Sequence, residues 1–129
     1  MPTFEDSITT AAPPEDVWML LYDPLRFPEW WTGIASTTYD SDADYTMYVD
    51  GYPDFPMAQT LDASRSDGSV TISCMVSDLV FQWHLASIEG GTKISVHVDI
   101  PEREAARLEM QRGTIESSLR RLADLAADS

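Results

Sequence analysis

The stretch from Gly33 to Ile100 constrains the fold more than any other feature of this sequence. Apolar and polar residues alternate along it in short segments, which is typical of strands with one buried face. Turn-forming residues such as Ser66-Asp67-Gly68 separate the segments. Connections this short join antiparallel neighbours, because parallel strands need a longer crossover. The stretch therefore predicts an antiparallel meander with strands at residues 33–40, 45–51, 57–64, 69–76, 79–88 and 92–100.

Other elements flank this meander on both sides. Residues 3–10 alternate as a first strand, and Pro14 with Glu15 and Asp16 predicts a short helix over 14–22, because proline and acidic residues favour a first helical turn. A second short helix or turn is expected over 24–31. After Pro101 a long helix is expected to about residue 127, which at about 1.5 Å per residue is roughly 40 Å long. Its apolar stripe consists of Leu108, Ile115, Leu119, Leu122 and Ala126.

One apolar sheet face and one long amphipathic helix predict a two-layer α+β architecture, and 129 residues suit a single domain over 1–129. The expected sheet has seven antiparallel strands, with two short helices between strands 1 and 2. The sheet must curve to enclose the C-terminal helix. The space between the sheet and the helix is then the natural site for a ligand.

The charge of the chain argues against several partners. The sequence has 22 Asp and Glu against 8 Lys and Arg, a formal net charge of −14. Nucleic acid and anionic membranes are bound through clusters of Lys and Arg, so neither is expected as a partner. No apolar run approaches the ~20 residues that span a bilayer, and residues 1–10 lack the pattern of a secretory signal. The single cysteine cannot form an internal disulfide, so we expect a cytoplasmic protein.

The alternation also predicts which side chains face the space beneath the helix. It is clearest over 94–100 and 70–76, where every second residue, beginning with the first, is apolar. A buried polar group without a partner costs about 1–3 kcal/mol, so polar residues at inward positions favour a cavity over a plain core. A slip of one residue would exchange inward and outward positions. The other predicted inward residues are Ser36, Thr38, Tyr45, Met47, Val49, Met57, Gln59, Leu61, Phe81, Trp83 and Leu85.

Trp31 and Arg112 are candidates for the mouth of this cavity. Trp31 is predicted to form an aromatic gate, with packing against the sheet as the alternative, whereas Trp18 and Trp30 are expected to pack. Arg112 falls on the apolar stripe of the last helix, where a charge is awkward. It is predicted either to fix a carboxylate or phenolate of an apolar ligand or to reach water or an acidic neighbour.

The sequence carries no cofactor or metal signature. His84 and His97 occupy outward positions and are expected to be surface histidines. Residues 40, 42 and 44 are all Asp, like the start of a calcium loop, but Tyr45 stands where such a loop needs glycine. A hairpin turn is expected there instead. No glycine-rich phosphate loop or dinucleotide fingerprint is present, so no cofactor and no metal are predicted.

Residues 7–18, which read SITTAAPPEDVW, together with Asp23 and Pro28-Glu29-Trp30-Trp31, resemble the opening of the START-like (SRPBCC) superfamily. They are most similar to its small bacterial polyketide cyclase/dehydrase-like branch. Gly90-Gly91-Thr92 and the helical segment 115–122 also fit, so the resemblance covers essentially the whole chain. It implies a helix-grip fold with a hydrophobic cavity for lipids, polyketides or other apolar molecules. Members include aromatases or cyclases, carriers, modulators of partner proteins and one branch of toxins.

These observations lead to three functional hypotheses. The first is binding of a small hydrophobic molecule such as a lipid or polyketide. The second is an enzyme of the polyketide cyclase or aromatase type, in which the cavity holds a poly-β-ketone in a productive fold. The third is a protein-interaction or toxin-like module with a closed cavity and a basic partner. The candidate ligand-binding residues are Trp31, Gln59, Trp83 and Arg112, with Tyr45, Met47 and Phe81 as the apolar wall.

Overall fold

A computed structural model describes residues 2–41 and 43–128, and within them the predicted meander lies between helical segments. The first short helices are α1 (Pro14–Leu21) and a 3₁₀ helix (Pro24–Glu29). The C-terminal helix begins as a second 3₁₀ helix (Glu102–Arg107) and continues as α2 (Leu108–Ala127). The strands are β1 (Thr3–Thr10), β2 (Ile34–Tyr39), β3 (Asp44–Val49), β4 (Met57–Ser64), β5 (Ser69–Cys74), β6 (Val80–Ile88) and β7 (Gly91–Asp99).

Within the described residues the seven strands form one sheet in the order β1-β7-β6-β5-β4-β3-β2. Every neighbouring pair is antiparallel, and the first strand pairs with the last. The sheet curves around α2, which packs against β1 and α1. This arrangement confirms the predicted α+β helix-grip fold with two short helices between the first two strands.

The core lies between the inner face of the sheet and one side of α2. The apolar stripe predicted for the last helix is confirmed from Ile115 onward, while Leu108 is only half-buried. Apolar side chains from β5, β6 and β7 meet this stripe, and their burial supplies the main favourable term for folding. The fully buried members of the two layers include Val70, Ile72, Ile94, Val96, Val98, Ile115, Leu119 and Leu122.

The inward positions predicted for β2 are wrong. Ser36 and Thr38 are exposed, because a β-bulge between Ile34 and Ser36 adds one residue to the strand. A bulge of this kind inverts the alternation beyond it. Thr37 therefore shares a face with its partner Met47, and its hydroxyl donates a hydrogen bond to the carbonyl oxygen of Pro24 at 2.7 Å.

The alternation predicted for β5 also fails at its end. Val76 is 48% exposed because β5 ends at Cys74 and a tight turn follows. The turn is closed by hydrogen bonds from the Cys74 amide to the Leu79 carbonyl (2.8 Å) and from the Asp78 amide to the Cys74 carbonyl (2.9 Å). The apolar side chain of Val76 is thereby left at the surface.

The turn before β3 behaves as a hairpin, as far as it is described. Asp40 accepts a hydrogen bond from the Thr46 hydroxyl at 2.6 Å, and Asp44 accepts one from the Ser41 hydroxyl at 3.1 Å. Asp42 lies outside the described residues. Across residues 2–41 and 43–128, no group of three His, Cys, Asp or Glu side chains is arranged to hold a metal ion. Over the same ranges, no helix is both long and apolar enough to cross a membrane.

Candidate ligand-binding pocket

A cluster of aromatic rings supports the space beneath α2. Trp31 follows the first 3₁₀ helix, and its ring centroid lies 5.4 Å from those of Phe27 and Trp30. It also lies 5.1 Å from the ring of Phe81 and 5.3 Å from that of Trp83, in edge-to-face arrangements. Aromatic pairs at such distances are favourable beyond their buried area, so the cluster holds Trp31 in a defined position.

A pocket of about 240 Å³ lies between the inner face of the sheet and the beginning of α2. Five predicted site residues line it, namely Trp31, Tyr45, Met47, Gln59 and Phe81. Most of its surface is apolar, as is usual for small-molecule sites. The remaining lining residues are Thr32, Gly33, Ile34, Val49, Met57, Cys74, Ser77, Leu79, Arg107, Met110, Gln111 and Thr114.

The inner end of the pocket carries three polar side chains on adjacent strands. Tyr45 pairs with Gln59 across β3 and β4, and Gln59 pairs with Cys74 across β4 and β5. The three residues are 1%, 2% and 3% exposed, and the Gln59 amide donates from Nε2 to Cys74 Sγ at 3.1 Å. Burial raises the pKa of the Tyr45 phenol, and the neighbouring Cys74 adds to this rise. The hydroxyl therefore stays protonated and able to donate a hydrogen bond.

The mouth of the pocket is formed by residues outside the predicted set. Arg107, Gln111 and Thr114 project from one side of the C-terminal helix, at spacings of four and three residues. Arg107 Nη1 lies 3.6 Å from a carboxylate oxygen of Glu104, so the cation is partly balanced. The signal in the sequence is a second, polar row at helical spacing beside the apolar stripe.

A profile of the protein family described as polyketide cyclase / dehydrase and lipid transport matches residues 1–127. The chain belongs to this family. This match confirms the predicted resemblance to the START-like superfamily. No curated protein matches the chain by sequence.

Several solved structures share the fold of this chain at low sequence identity. An uncharacterised protein of Bacillus thuringiensis has a TM-score of 0.76 and 16% identity, over 99% of this chain and 100% of its own. The protein XoxI of Bacillus cereus has a TM-score of 0.73 and 18% identity, over 99% and 97%. The di-domain ARO/CYC BexL from the BE-7585A biosynthetic pathway has a TM-score of 0.80 and 12% identity, over 96% of this chain and 46% of BexL.

Arg112 does not line the pocket beneath α2. Its guanidinium is half exposed, 3.8 Å from a carboxylate oxygen of Glu109 and 5.5 Å from the ring centroid of Phe4. The apolar stripe that contains Arg112 faces the sheet near β1, whereas the pocket faces the neighbouring row of the helix. The cation at the mouth is therefore Arg107, and Arg112 follows the alternative of an acidic neighbour and water.

Trp83 supports the pocket without lining it. It is 1% exposed and packs edge-on against Trp30 and Trp31. Within the part of the chain that the structure describes, its Nε1 is the one enclosed side-chain nitrogen or oxygen that lacks a hydrogen-bond partner. Trp83 thus packs against Trp31, which lines the pocket, and holds its ring in position.

A wider groove of about 630 Å³ lies on the outer face of the sheet, but its lining is mostly polar. His97 stands there between Glu5 and Asp99, with each ring nitrogen 2.9 Å from a carboxylate oxygen. Hydrogen bonds to Glu5 and then to Asp99 raise the pKa of His97. Both histidines face outward, as the alternation predicts. The groove is open and lacks the enclosed apolar walls of the inner pocket.

Proposed function

We propose that this chain binds a small hydrophobic molecule, such as a lipid or polyketide, in the pocket between the sheet and α2. The observation that carries the proposal is a preformed pocket of about 240 Å³ with apolar walls. A few polar side chains at its inner end and mouth supply orientation, which is the usual composition of such sites. The family, with its cyclase and lipid-transport members, supports the same class of ligand.

An enzyme of the polyketide cyclase or aromatase type is the second candidate. The fold shared with BexL and with StfQ, a di-domain ARO/CYC from the steffimycin biosynthetic pathway, favours it. Ring closure of a poly-β-ketone requires removal of a proton from carbon, which is faster with a base whose pKa lies near the working pH. Among the described residues that line the pocket, none is Asp, Glu or His. The site therefore favours binding over acid–base catalysis, and a cyclase here would depend on positioning.

The hypothesis of an interaction module with a closed cavity receives less support. A packed interior holds few voids larger than a water molecule. The pocket has the volume of about eight molecules of liquid water, taking ~30 Å³ for each. Its continuity with the surface near Arg107 and Met110 gives a ligand a route inward.

The proposal is tested with N-phenyl-1-naphthylamine, a neutral apolar probe whose emission rises on leaving water. The wild-type chain is expected to bind the probe, and Thr114→Phe is expected to abolish binding because the added ring fills the pocket. Arg112→Phe adds the same ring on the same helix outside the pocket and serves as the control. Native mass spectrometry of the chain from its own host is expected to reveal a bound apolar compound. Failure of both measurements on the wild-type chain would overturn the proposal.

A further inference from the structure

We propose that the pocket selects an elongated apolar alcohol or phenol, which binds with its hydroxyl group between Tyr45 and Gln59 and its apolar chain directed to the mouth. This inference rests on the proposed binding function and specifies the chemistry and orientation of the ligand. It is carried by unpaired polar atoms at the inner end of the pocket and by exposed apolar side chains around its opening.

The inner end offers unused hydrogen-bonding capacity. Among the described residues, the Tyr45 hydroxyl makes no hydrogen bond, and the Gln59 amide uses only Nε2, toward the sulfur of Cys74. Trp83 Nε1 is the one enclosed side-chain polar atom without a partner in that part of the chain, so the oxygens of Tyr45 and Gln59 are not fully enclosed, and both residues line the pocket. Polar groups of buried side chains are normally paired, so the Tyr45 hydroxyl and the Gln59 carbonyl oxygen are available to hydrogen-bond a ligand.

A hydroxyl group is the ligand group that matches both side chains. It accepts a hydrogen bond from the protonated Tyr45 phenol and donates one to the carbonyl oxygen of Gln59. If the amide is turned the other way, the hydroxyl still pairs with it, because a hydroxyl both donates and accepts. A carbonyl oxygen only accepts hydrogen bonds, so it would leave the Gln59 carbonyl oxygen unpaired.

A charged ligand group is disfavoured at the inner end. Burying a carboxylate away from water is costly unless a cation pairs with it. Of the described residues that line the pocket, Arg107 is the one cation, and it lies at the mouth beside Glu104. An anionic group would therefore stay at the opening, which would leave the polar atoms of Tyr45 and Gln59 unpaired.

The apolar end of the ligand is placed by a second recess of about 590 Å³ that adjoins the mouth. The recess shares Met57 and Met110 with the inner pocket, so the two spaces are continuous. Tyr52, Phe55 and Val76 line it and are 65%, 55% and 48% exposed. Clustered exposed apolar side chains typically mark binding surfaces. The inner pocket is smaller than the ~300–1,000 Å³ usual for ligand sites, so an elongated ligand extends into this recess.

The hydroxyl preference is tested by calorimetric titration with 4-pentylphenol and pentylbenzene, which differ by one oxygen. The wild-type chain is expected to bind the phenol about tenfold more tightly, as two hydrogen bonds to buried groups would give. Tyr45→Phe is expected to reduce this preference severalfold. Tyr39→Phe is the matched control, because its hydroxyl lies outside the pocket and bonds to Asp23 Oδ1 at 2.9 Å. Tyr39→Phe is expected to keep the full preference.

The outcomes separate the inference from the proposed function. Equal binding of both compounds by the wild-type chain would overturn the hydroxyl preference and leave hydrophobic binding standing. A preference that survives in Tyr45→Phe would overturn the assigned orientation. Binding of neither compound nor of the naphthylamine probe would remove the function itself. Tighter binding of 4-pentylbenzoate than of the phenol would also overturn the inference, because it would require a cation at the head group.

The position of the chain is tested by varying its length. Replacing Tyr52 and Phe55 together by Ser is expected to weaken 4-pentylphenol severalfold and to leave unsubstituted phenol unaffected, because phenol does not reach the recess. Met19→Ser removes an exposed apolar side chain on α1, away from the mouth, and is the control. Unchanged affinity of the double variant for 4-pentylphenol would overturn the proposed direction of the chain.

Discussion

Substitution of Gly91 by Ala is expected to destabilise the fold severely. A Cβ atom at Gly91 would overlap the carbonyl oxygen of Thr10 and lie 2.9 Å from its carbonyl carbon. Backbone atoms of β1 must move to relieve this overlap. Thr10 donates a buried hydrogen bond to the Ala123 carbonyl at 3.0 Å, and Thr92 donates one to the Ala12 carbonyl at 2.8 Å. The substitution therefore breaks contacts between β1, β7 and α2 together.

The magnitude follows from these two bonds. Leaving a buried polar group unpaired costs about 1–3 kcal/mol, so the loss of both bonds costs about 2–6 kcal/mol in the free energy of unfolding. For a domain of this size, such a loss lowers the melting temperature by about 7–22 °C. Urea unfolding and thermal melts followed by far-ultraviolet circular dichroism measure both quantities. A variant within about 0.5 kcal/mol of the wild type, the usual range of surface substitutions, would refute the argument.

Gly113 provides the matched control for this experiment. It lies within α2, and a Cβ atom built there meets nothing within 4 Å. Glycine inside a helix is less stable than alanine by about 0.5–1 kcal/mol, because it loses more conformational freedom on folding. Gly113→Ala is therefore expected to stabilise the fold, so the two glycine substitutions have opposite signs. Destabilisation by both would indicate a general sensitivity to substitution and contradict the role of the contact with Thr10.

Three further predictions concern His97, Arg112 and Ser118. The pKa of His97 is higher in the folded state than in the unfolded state, where it is about 6.5. The stabilisation by His97 is therefore complete below about pH 6.5 and is lost as the pH rises through the folded pKa. The free energy of unfolding by urea, measured from about pH 6.5 upward, should depend on pH less in His97→Gln than in the wild type. Arg112→Met is expected to leave the affinities for 4-pentylphenol and 4-pentylbenzoate unchanged in titrations, because Arg112 lies outside the pocket; a selective loss of the benzoate would return Arg112 to the binding site. Ser118→Ala is expected to cost about 1–3 kcal/mol in urea unfolding, because the Ser118 hydroxyl accepts a hydrogen bond from the Thr32 amide at 2.9 Å; an unchanged midpoint would contradict this role.

The strands were predictable because alternation and turn residues are local signals. The bounds expected for the first and fourth strands coincide with β1 and β4. The bulge before Ser36 was not predictable, because one extra residue in an edge strand changes its pairing with β3 and leaves the composition of the segment the same. The prediction of Arg112 rather than Arg107 as the cation at the mouth of the pocket had a different cause. A helical pattern identifies an apolar stripe, but which neighbouring row faces the pocket depends on how α2 is rotated against β1, and that is set by contacts distant in sequence.

The aromatic cluster behind the pocket gives the molecule a built-in optical reporter. The indole rings of Trp30, Trp31 and Trp83 lie with centroids 5.3–5.4 Å apart, close enough for their electronic transitions to couple. Trp31 alone among the three also lines the pocket. A ligand that touches Trp31 therefore changes the near-ultraviolet circular dichroism of all three rings at once. Occupancy of the pocket is readable without a label, from light absorbed by side chains whose first role is to hold the fold together.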